Sequence, residues 1–250
     1  IVKKDPTNPK ALLASYTIFQ NKKETKKELE LFGKIIKSRA VQEQKKQDLL
    51  ISILTDENKL ELYYHQIPSL LKECVFLYPQ NSFFYTILAD FYSLDQDYFL
   101  AREYYLKAIE LEPNSNILWE RVIQMSLFSQ KYEQVVKDTN LALEAFPLQG
   151  SFYYYKGLAL FYNKNYAESI LALQEALLYI MDDKIILSGI YETLGNIYHT
   201  FAEKESESDY HKKSDESYEK ALAHNPNNIY VLNNYSYYLS IRGEDLEKAK

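Results

Sequence analysis

Cysteine is nearly missing from this sequence. Cys74 stands alone, so no disulfide can form within the chain and stability must come from packing. Breakers are scarce too: 250 residues hold 6 Gly and 7 Pro, which favours long helices joined by short turns. No run of about 18 apolar residues occurs, so no segment reads as a membrane-spanning helix. No stretch of the given residues reads as a signal peptide. Positive charge is not in excess either. Lys and Arg total 29 against 35 Asp and Glu, a formal charge of −6, which argues against nucleic acid as a partner because phosphate binding needs a basic surface. The lysines that do cluster, at Lys22, Lys23, Lys26, Lys27 and again at Lys45 and Lys46, read as solvated helix faces, with Glu24, Glu28 and Glu30 interleaved.

Catalytic signatures are missing as well. The glycines (Gly33, Gly150, Gly157, Gly189, Gly195, Gly243) never fall at a phosphate-cradling spacing. No HExxH, CxxC or GxSxG occurs. Asn234-Tyr235-Ser236 matches a glycosylation acceptor but falls on a predicted helix. His199, Glu203, Glu205, Glu207, Asp209 and His211 lie close together, and His199 with Glu203 can share a helix face. Without a thiolate or a second such pair, the group reads as a solvated acidic loop. Cys74 has no adjacent base to activate it and reads as a small seam residue. The expectation is therefore no enzyme, no cofactor and no metal.

What the sequence does contain is a period. Pro79, Pro113 and Pro147 lie 34 residues apart. Cys74, Ala108, Ala142 and Ala176 share that spacing, as do Tyr98, Tyr132 and Tyr166, and the aromatics Tyr85, Trp119 and Tyr153. Four registers with one period mark an internal repeat.

A 34-residue unit with an aromatic, Leu-Gly, Tyr, Ala, aromatic, Ala and Pro in that order resembles the tetratricopeptide repeat. The best copy is 82–115, with Tyr85, Leu88, Ala89, Tyr92, Ala101, Tyr105, Ala108 and Pro113. Copies follow at 116–149, with Ile123 where a small residue is usual, and at 150–183, with Met181 in place of the final Pro. An earlier copy occupies 48–81 and a degenerate one 9–40. In the copy at 188–228, Gly195 and Ala221 are 26 residues apart, against 19 for Gly157 and Ala176. Seven extra residues thus fall in the polar run 202–208. A partial copy fills 229–250. The opening Ile1-Val2-Lys3-Lys4-Asp5-Pro6 reads as a helix end and the closing 245–250 as a helix just begun, so a fragment of a longer protein is expected.

The resemblance implies an all-α fold: a right-handed α-solenoid of antiparallel helix pairs over 1–250. In unit 82–115, Asn81 and Ser82 are predicted to cap the first helix, Asp95-Gln96-Asp97 to turn, and Pro113 to end the second helix. Ala89 or Gly157 lets the two helices of a unit approach, and Ala108, Ala142 and Ala176 let the second helix meet the next unit.

In tetratricopeptide-repeat proteins the first helix of each unit lines a concave face where partners bind. Carried over by register, that face holds Phe83, Thr86, Asp90 and Ser93, then Ile117, Glu120, Gln124, Leu127 and Phe128, then Tyr154, Leu158, Phe161 and Tyr162, then Glu192, Asn196 and His199, then Tyr230, Asn233 and Tyr237; partner binding is expected at ten of these, Gln124, Phe128, Tyr154, Leu158, Phe161, Tyr162, Asn196, His199, Asn233 and Tyr237. One subgroup clamps a carboxylate there with Lys, Arg and Asn. Here Asn196 and Asn233 are suitably placed, but Arg121 is the only cation and lies two units away, so no such clamp is expected. The expected function is a non-catalytic scaffold that holds a protein or peptide on a Tyr-rich face, drawn from 24 Tyr. Self-association is compatible with that role. The alternatives are a carbohydrate- or small-ligand-binding accessory protein, or the repeat arm of a larger enzyme. The run 231–249 resembles bacterial envelope repeats, which points to the periplasmic side of the envelope.

Overall fold

A computed structural model describes residues 8–205 and 208–243. Among them there are fourteen helices and no strand. The first seven are α1 (Pro9–Asn21), α2 (Thr25–Lys37), α3 (Glu43–Leu54), α4 (Glu57–Tyr63), α5 (Ile67–Leu77), α6 (Ser82–Leu94) and α7 (Tyr98–Leu111). The rest are α8 (Asn116–Phe128), α9 (Tyr132–Ala145), α10 (Gly150–Tyr162), α11 (Tyr166–Tyr179), α12 (Lys184–Glu205), α13 (Ser208–His224) and α14 (Ile229–Arg242). They group into two compact units, 1–118 and 119–250, with the border in the first turn of α8. Within the units consecutive helices pair, as in α1–α2, α6–α7, α10–α11 and α12–α13. The fold is all-α and built of helix pairs.

In the first unit, Asn8 caps α1 by accepting from the Ala11 amide at 3.1 Å, and Pro9 occupies the first helical turn, where its missing N–H costs nothing. Leu31, Phe32, Ile35 and Ile36 form the buried stripe of α2, spaced at helical period, against Leu12 and Tyr16 of α1. Segment 48–81 departs from a simple pair, because it carries parts of three helices. Asp56 restarts the chain as α4 by accepting from the Lys59 amide at 3.2 Å, and Pro68 opens α5.

Two readings of this unit need correction. Lys46 is not solvated. It is fully buried, donates to the Tyr78 hydroxyl and lies 4.1 Å from that ring's centroid. Burial holds its pKa below the usual lysine range. Asn81 sits at the N-cap of α6, but its side chain does not cap. It accepts from Gln47 at 3.1 Å and donates to Glu43 at 2.8 Å, tying α6 to α3, while Ser82 donates to Glu112. The amide finds better partners across the packing than in its own helix.

The turns between paired helices repeat in backbone as well as sequence. Gln96, Gln130 and Lys164, 34 residues apart, have φ of 61°, 54° and 61°. In each turn the next amide reaches back five residues: Asp97 to Tyr92 (2.8 Å), Lys131 to Ser126 (3.0 Å) and Asn165 to Leu160 (2.8 Å). This is a Schellman ending made without glycine. The repeated aromatics also bond: Tyr85 donates to the Pro79 carbonyl at 3.4 Å and Tyr153 to the Pro147 carbonyl at 3.0 Å.

In the second unit the small residues mark close helix contacts. A Cβ on Gly157 would stand 2.7 Å from the Leu173 side chain, so only glycine fits between α10 and α11 without a shift. Ala142, fully buried, packs with Ile123, Val135 and Phe152. Ala176 packs with Leu173, Ile190 and Leu194. Tyr218, Ala221, Val231, Tyr235 and Leu239 close the last described core. The extra residues of the stretched pair are mostly helical. α12 has 22 residues and α13 has 17, against 13 for α10 and 14 for α11. α12 is thus about two and a half turns longer than α10, and α13 a little under one turn longer than α11, at 3.6 residues per turn.

Candidate functional site

The ten residues expected to bind a partner (Gln124, Phe128, Tyr154, Leu158, Phe161, Tyr162, Asn196, His199, Asn233 and Tyr237) lie in the second unit, on α8, α10, α12 and α14. They divide by what their side chains do.

One group is used for packing. Tyr154 lies against the backbone of Gly189, where an added Cβ would come 2.5 Å from its hydroxyl. Burial, then the Glu192 carboxylate, pushes this phenol well above the ordinary tyrosine value. Phe161 packs in the core of α11 and α12, 5.4 Å from the Tyr162 ring and 6.0 Å from Tyr166. Leu158 is half-buried. Asn196 spends its carbonyl on two partners, the Tyr218 hydroxyl at 2.7 Å and the Asn234 amide at 3.3 Å. His199 is buried, its ring stacked 3.4 Å from that of Tyr238. Its Nε2 lies 3.4 Å from Glu203, and its Nδ1 has no hydrogen-bond partner among the described residues. Burial pulls the His199 pKa below the ordinary value, against the raising effect of Glu203.

The other group faces outward. Phe128 is 55% exposed, Tyr162 50% and Tyr237 61%, and Asn233 is exposed. Tyr162 is held flat by Tyr132, whose ring stacks on it at 4.6 Å with 14° between planes. Gln124 lies between the groups: its amide donates to the Tyr155 hydroxyl at 3.4 Å, and that hydroxyl donates to Glu120 at 3.1 Å. Tyr155 thus bridges α10 to α8.

Three contributors escaped the sequence reading: Tyr132, Tyr155 and Asn228. Asn228 has two roles. Its carbonyl oxygen caps α14, accepting from the amides of Tyr230 (3.1 Å) and Val231 (3.2 Å), while its amide nitrogen donates to Ser188 (3.1 Å) and Glu192 (3.0 Å) on α12. Glu192, placed between α12 and α14, has its pKa raised by burial, with the Asn228 bond opposing. The signal for Asn228 was present in Asn225-Pro226-Asn227-Asn228, a helix stop followed by a cap. Neither the tyrosine stack nor the bridge has a sequence signature.

The arrangement holds no reactive constellation among the described residues. No group of three or more His, Cys, Asp or Glu there can hold a metal. In the acidic run, Asp209 pairs with Lys213 at 2.6 Å, His211 lies 3.1 Å from Arg242, and the side chains of Glu205 and Glu207 fall outside the described residues. Cys74, in the first unit, is buried and its thiol is pushed up to about 12, so it stays protonated at neutral pH. No described helix is long and apolar enough to cross a membrane.

Comparison with known proteins gives the same architecture. A tetratricopeptide-repeat family model matches residues 217–250. Among solved structures, the chain is similar to MamA from Desulfovibrio magneticus, with 19% identity over 65% of this chain and 85% of that one, at a TM-score of 0.52. It is also similar to pilF of Pseudomonas aeruginosa, with 12% identity, 92% and 97% coverage and a TM-score of 0.57. The C-terminal part of a TPR repeat-containing protein from Cytophaga hutchinsonii matches with 13% identity, 91% and 95% coverage and a TM-score of 0.55. At such identities the likeness speaks to fold alone. No curated protein sequence matches.

Proposed function

Because this chain is a tetratricopeptide-repeat protein, we propose that it is a non-catalytic scaffold holding an extended peptide or partner segment against the Tyr-rich face of α10, α12 and α14. The observation that carries this reading is the division of labour on that face. Tyr162, Tyr230 and Tyr237, 50%, 68% and 61% exposed, stand on helices whose neighbouring side chains (Tyr154, Asn196, His199) are committed to holding the frame. Rigid aromatic rings offer large contact area at little entropy loss, the property that makes tyrosine frequent in binding hot spots.

The test is capture from an extract of the cells that make the protein, with the wild type beside a Tyr162→Ala/Tyr237→Ala variant. These two rings are chosen over Tyr154 because each is at least half exposed, so their removal disturbs the packing less. A protein retained by the wild type and lost by a variant of equal melting temperature supports the scaffold. Equal retention by both removes the face from consideration. Retention of glycans alone supports the carbohydrate reading instead. We also assign the protein to the periplasmic side of a bacterial envelope, on the resemblance of its last repeat; fractionation of cells making the tagged full-length protein tests this.

A further inference from the structure

Three hollows run in series along the second unit, where α9, α10, α11 and the turn between the last two meet. The first, about 390 Å³, lies at the start of α9 and sets Tyr132, Glu133 and Lys137 against Asn163. The second, about 460 Å³, shares Glu133, Lys137 and Asn163 with it. The third, about 210 Å³, shares Leu160 and Glu168 with the second. Together they form one open groove, sized for an extended small ligand. Its charges cancel: Lys131, Lys137 and Lys156 stand against Glu133, Glu168 and Glu175. Among them lie the carboxamides of Gln130, Gln134, Asn163 and Asn165, each able to donate and to accept. Gln134 is held in place, because its amide donates to Asp138 at 2.9 Å and the buried Asp138 is itself fixed by the Ser126 hydroxyl at 2.6 Å. A tyrosine borders each end. Tyr132 stacks on Tyr162 at 4.6 Å and Tyr153 on Tyr179 at 5.6 Å, so both rings keep a fixed plane.

Balanced cations and carboxylates give the groove no preference for a ligand of either sign. A peptide would draw its affinity from apolar anchors or from a strand edge. The main chain along this groove is helical apart from the turns, so it offers no edge. Its apolar lining is confined to Val136, Leu160, Leu171 and Ala172. What dominates is side chains that hydrogen-bond in both directions, with a flat ring at each end. A neutral sugar chain matches that pattern. Its hydroxyls donate and accept on every unit, and its C–H faces pack on the electron-rich face of an aromatic ring. We propose that this groove binds a neutral oligosaccharide, its hydroxyls held by Gln134, Lys137, Asn163 and Glu168 and its end units set against Tyr132 and Tyr153. The site is built from α9, α10 and α11 and does not rest on the scaffold reading, so either can fail alone.

Calorimetric titration of the protein with cellohexaose, mannohexaose, xylohexaose and maltohexaose tests this. The expected result is saturable binding of at least one of them with a Kd at or below about 1 mM. Because the ligand is uncharged, the Kd is expected to stay the same when salt is raised from about 0.1 to about 0.5 M. Lys137 and Asn163 are exposed and line both of the first two hollows. Lys137→Ala/Asn163→Ala is therefore expected to weaken binding at least about tenfold at an unchanged melting temperature. Tyr237→Ala, on α14, is expected to bind as the wild type does. No saturable heat with any of the four sugars overturns the inference. So does equal binding by the double variant, or loss of binding in Tyr237→Ala, since either places the sugar outside this groove. If hexagalacturonate, with a carboxylate on every unit, binds more tightly than all four neutral chains and weakens with salt, the groove selects charge and the inference falls.

Discussion

Ser169 on α11 donates its hydroxyl to the carbonyl of Gly157 on α10 at 2.7 Å, and Ser214 on α13 makes the same bond to Gly195 on α12 at 3.0 Å. The first bond spans 12 residues and the second 19, so the seven-residue difference leaves the contact intact. Both serines are buried. Each replacement by alanine is expected to cost about 1 kcal/mol, the net value of a buried hydrogen bond. Urea unfolding of Ser169→Ala and Ser214→Ala checks this. Losses that differ by more than about 1 kcal/mol would mean that the two pairs are not packed by one rule.

Ala142 has no room to grow. It is 0% exposed and packed among Ile123, Val135 and Phe152. Ala142→Leu is expected to destabilise by about 1–3 kcal/mol through overpacking. A melting temperature within about 1 °C of the wild type would show that the seam is looser than described, since 1 kcal/mol shifts a domain of this size by about 2–4 °C.

Gln130 holds φ at 54°, a conformation that disfavours any residue with a Cβ by about 1–2 kcal/mol. Glycine removes that strain but adds freedom to the unfolded chain, worth about 0.4–1 kcal/mol. Gln130→Gly is therefore expected to stabilise by about 0.5–1 kcal/mol. A loss of stability would show that the side chain contributes more than its backbone costs.

His199 links stability to pH. Its folded pKa lies below the unfolded value of about 6.5. The unfolded state then binds the proton first as pH falls, so the histidine's contribution is fully present above about 6.5 and is lost as pH drops through and below that value. Unfolding free energies of wild type and His199→Phe, measured between pH 8 and 5, are expected to diverge in slope, the wild type falling more steeply. Phenylalanine keeps the stack on Tyr238. Parallel curves would place the pH dependence elsewhere.

The repeat register was open to reading because close packing restricts what can stand at a seam. Ala108, Ala142 and Ala176 recur because anything larger overpacks, and buried alanines at one period can only be a packing rule. The positive-φ turns were not legible, because Gln96, Gln130 and Lys164 carry none of the glycine or asparagine that usually announces such a backbone. Lys46 was misread for a related reason: composition assigns a lysine to water, while the hydroxyl of Tyr78, 32 residues on, offers it a buried partner. On the candidate face, register placed Tyr162 and Tyr237 in the open, but Asn196 and His199 were equally good candidates on spacing alone. Only their partners, Tyr218 and Tyr238, show that they belong to the frame.

Asn228 closes the account of α14 differently from a simple cap. The oxygen that satisfies the first free amides of the helix and the nitrogen that binds Ser188 and Glu192 belong to one planar amide, so neither end can be oriented without the other. Helix nucleation is the expensive step in forming any helix. Here the amide whose orientation caps the first turn of α14 is also the one that fastens it to α12.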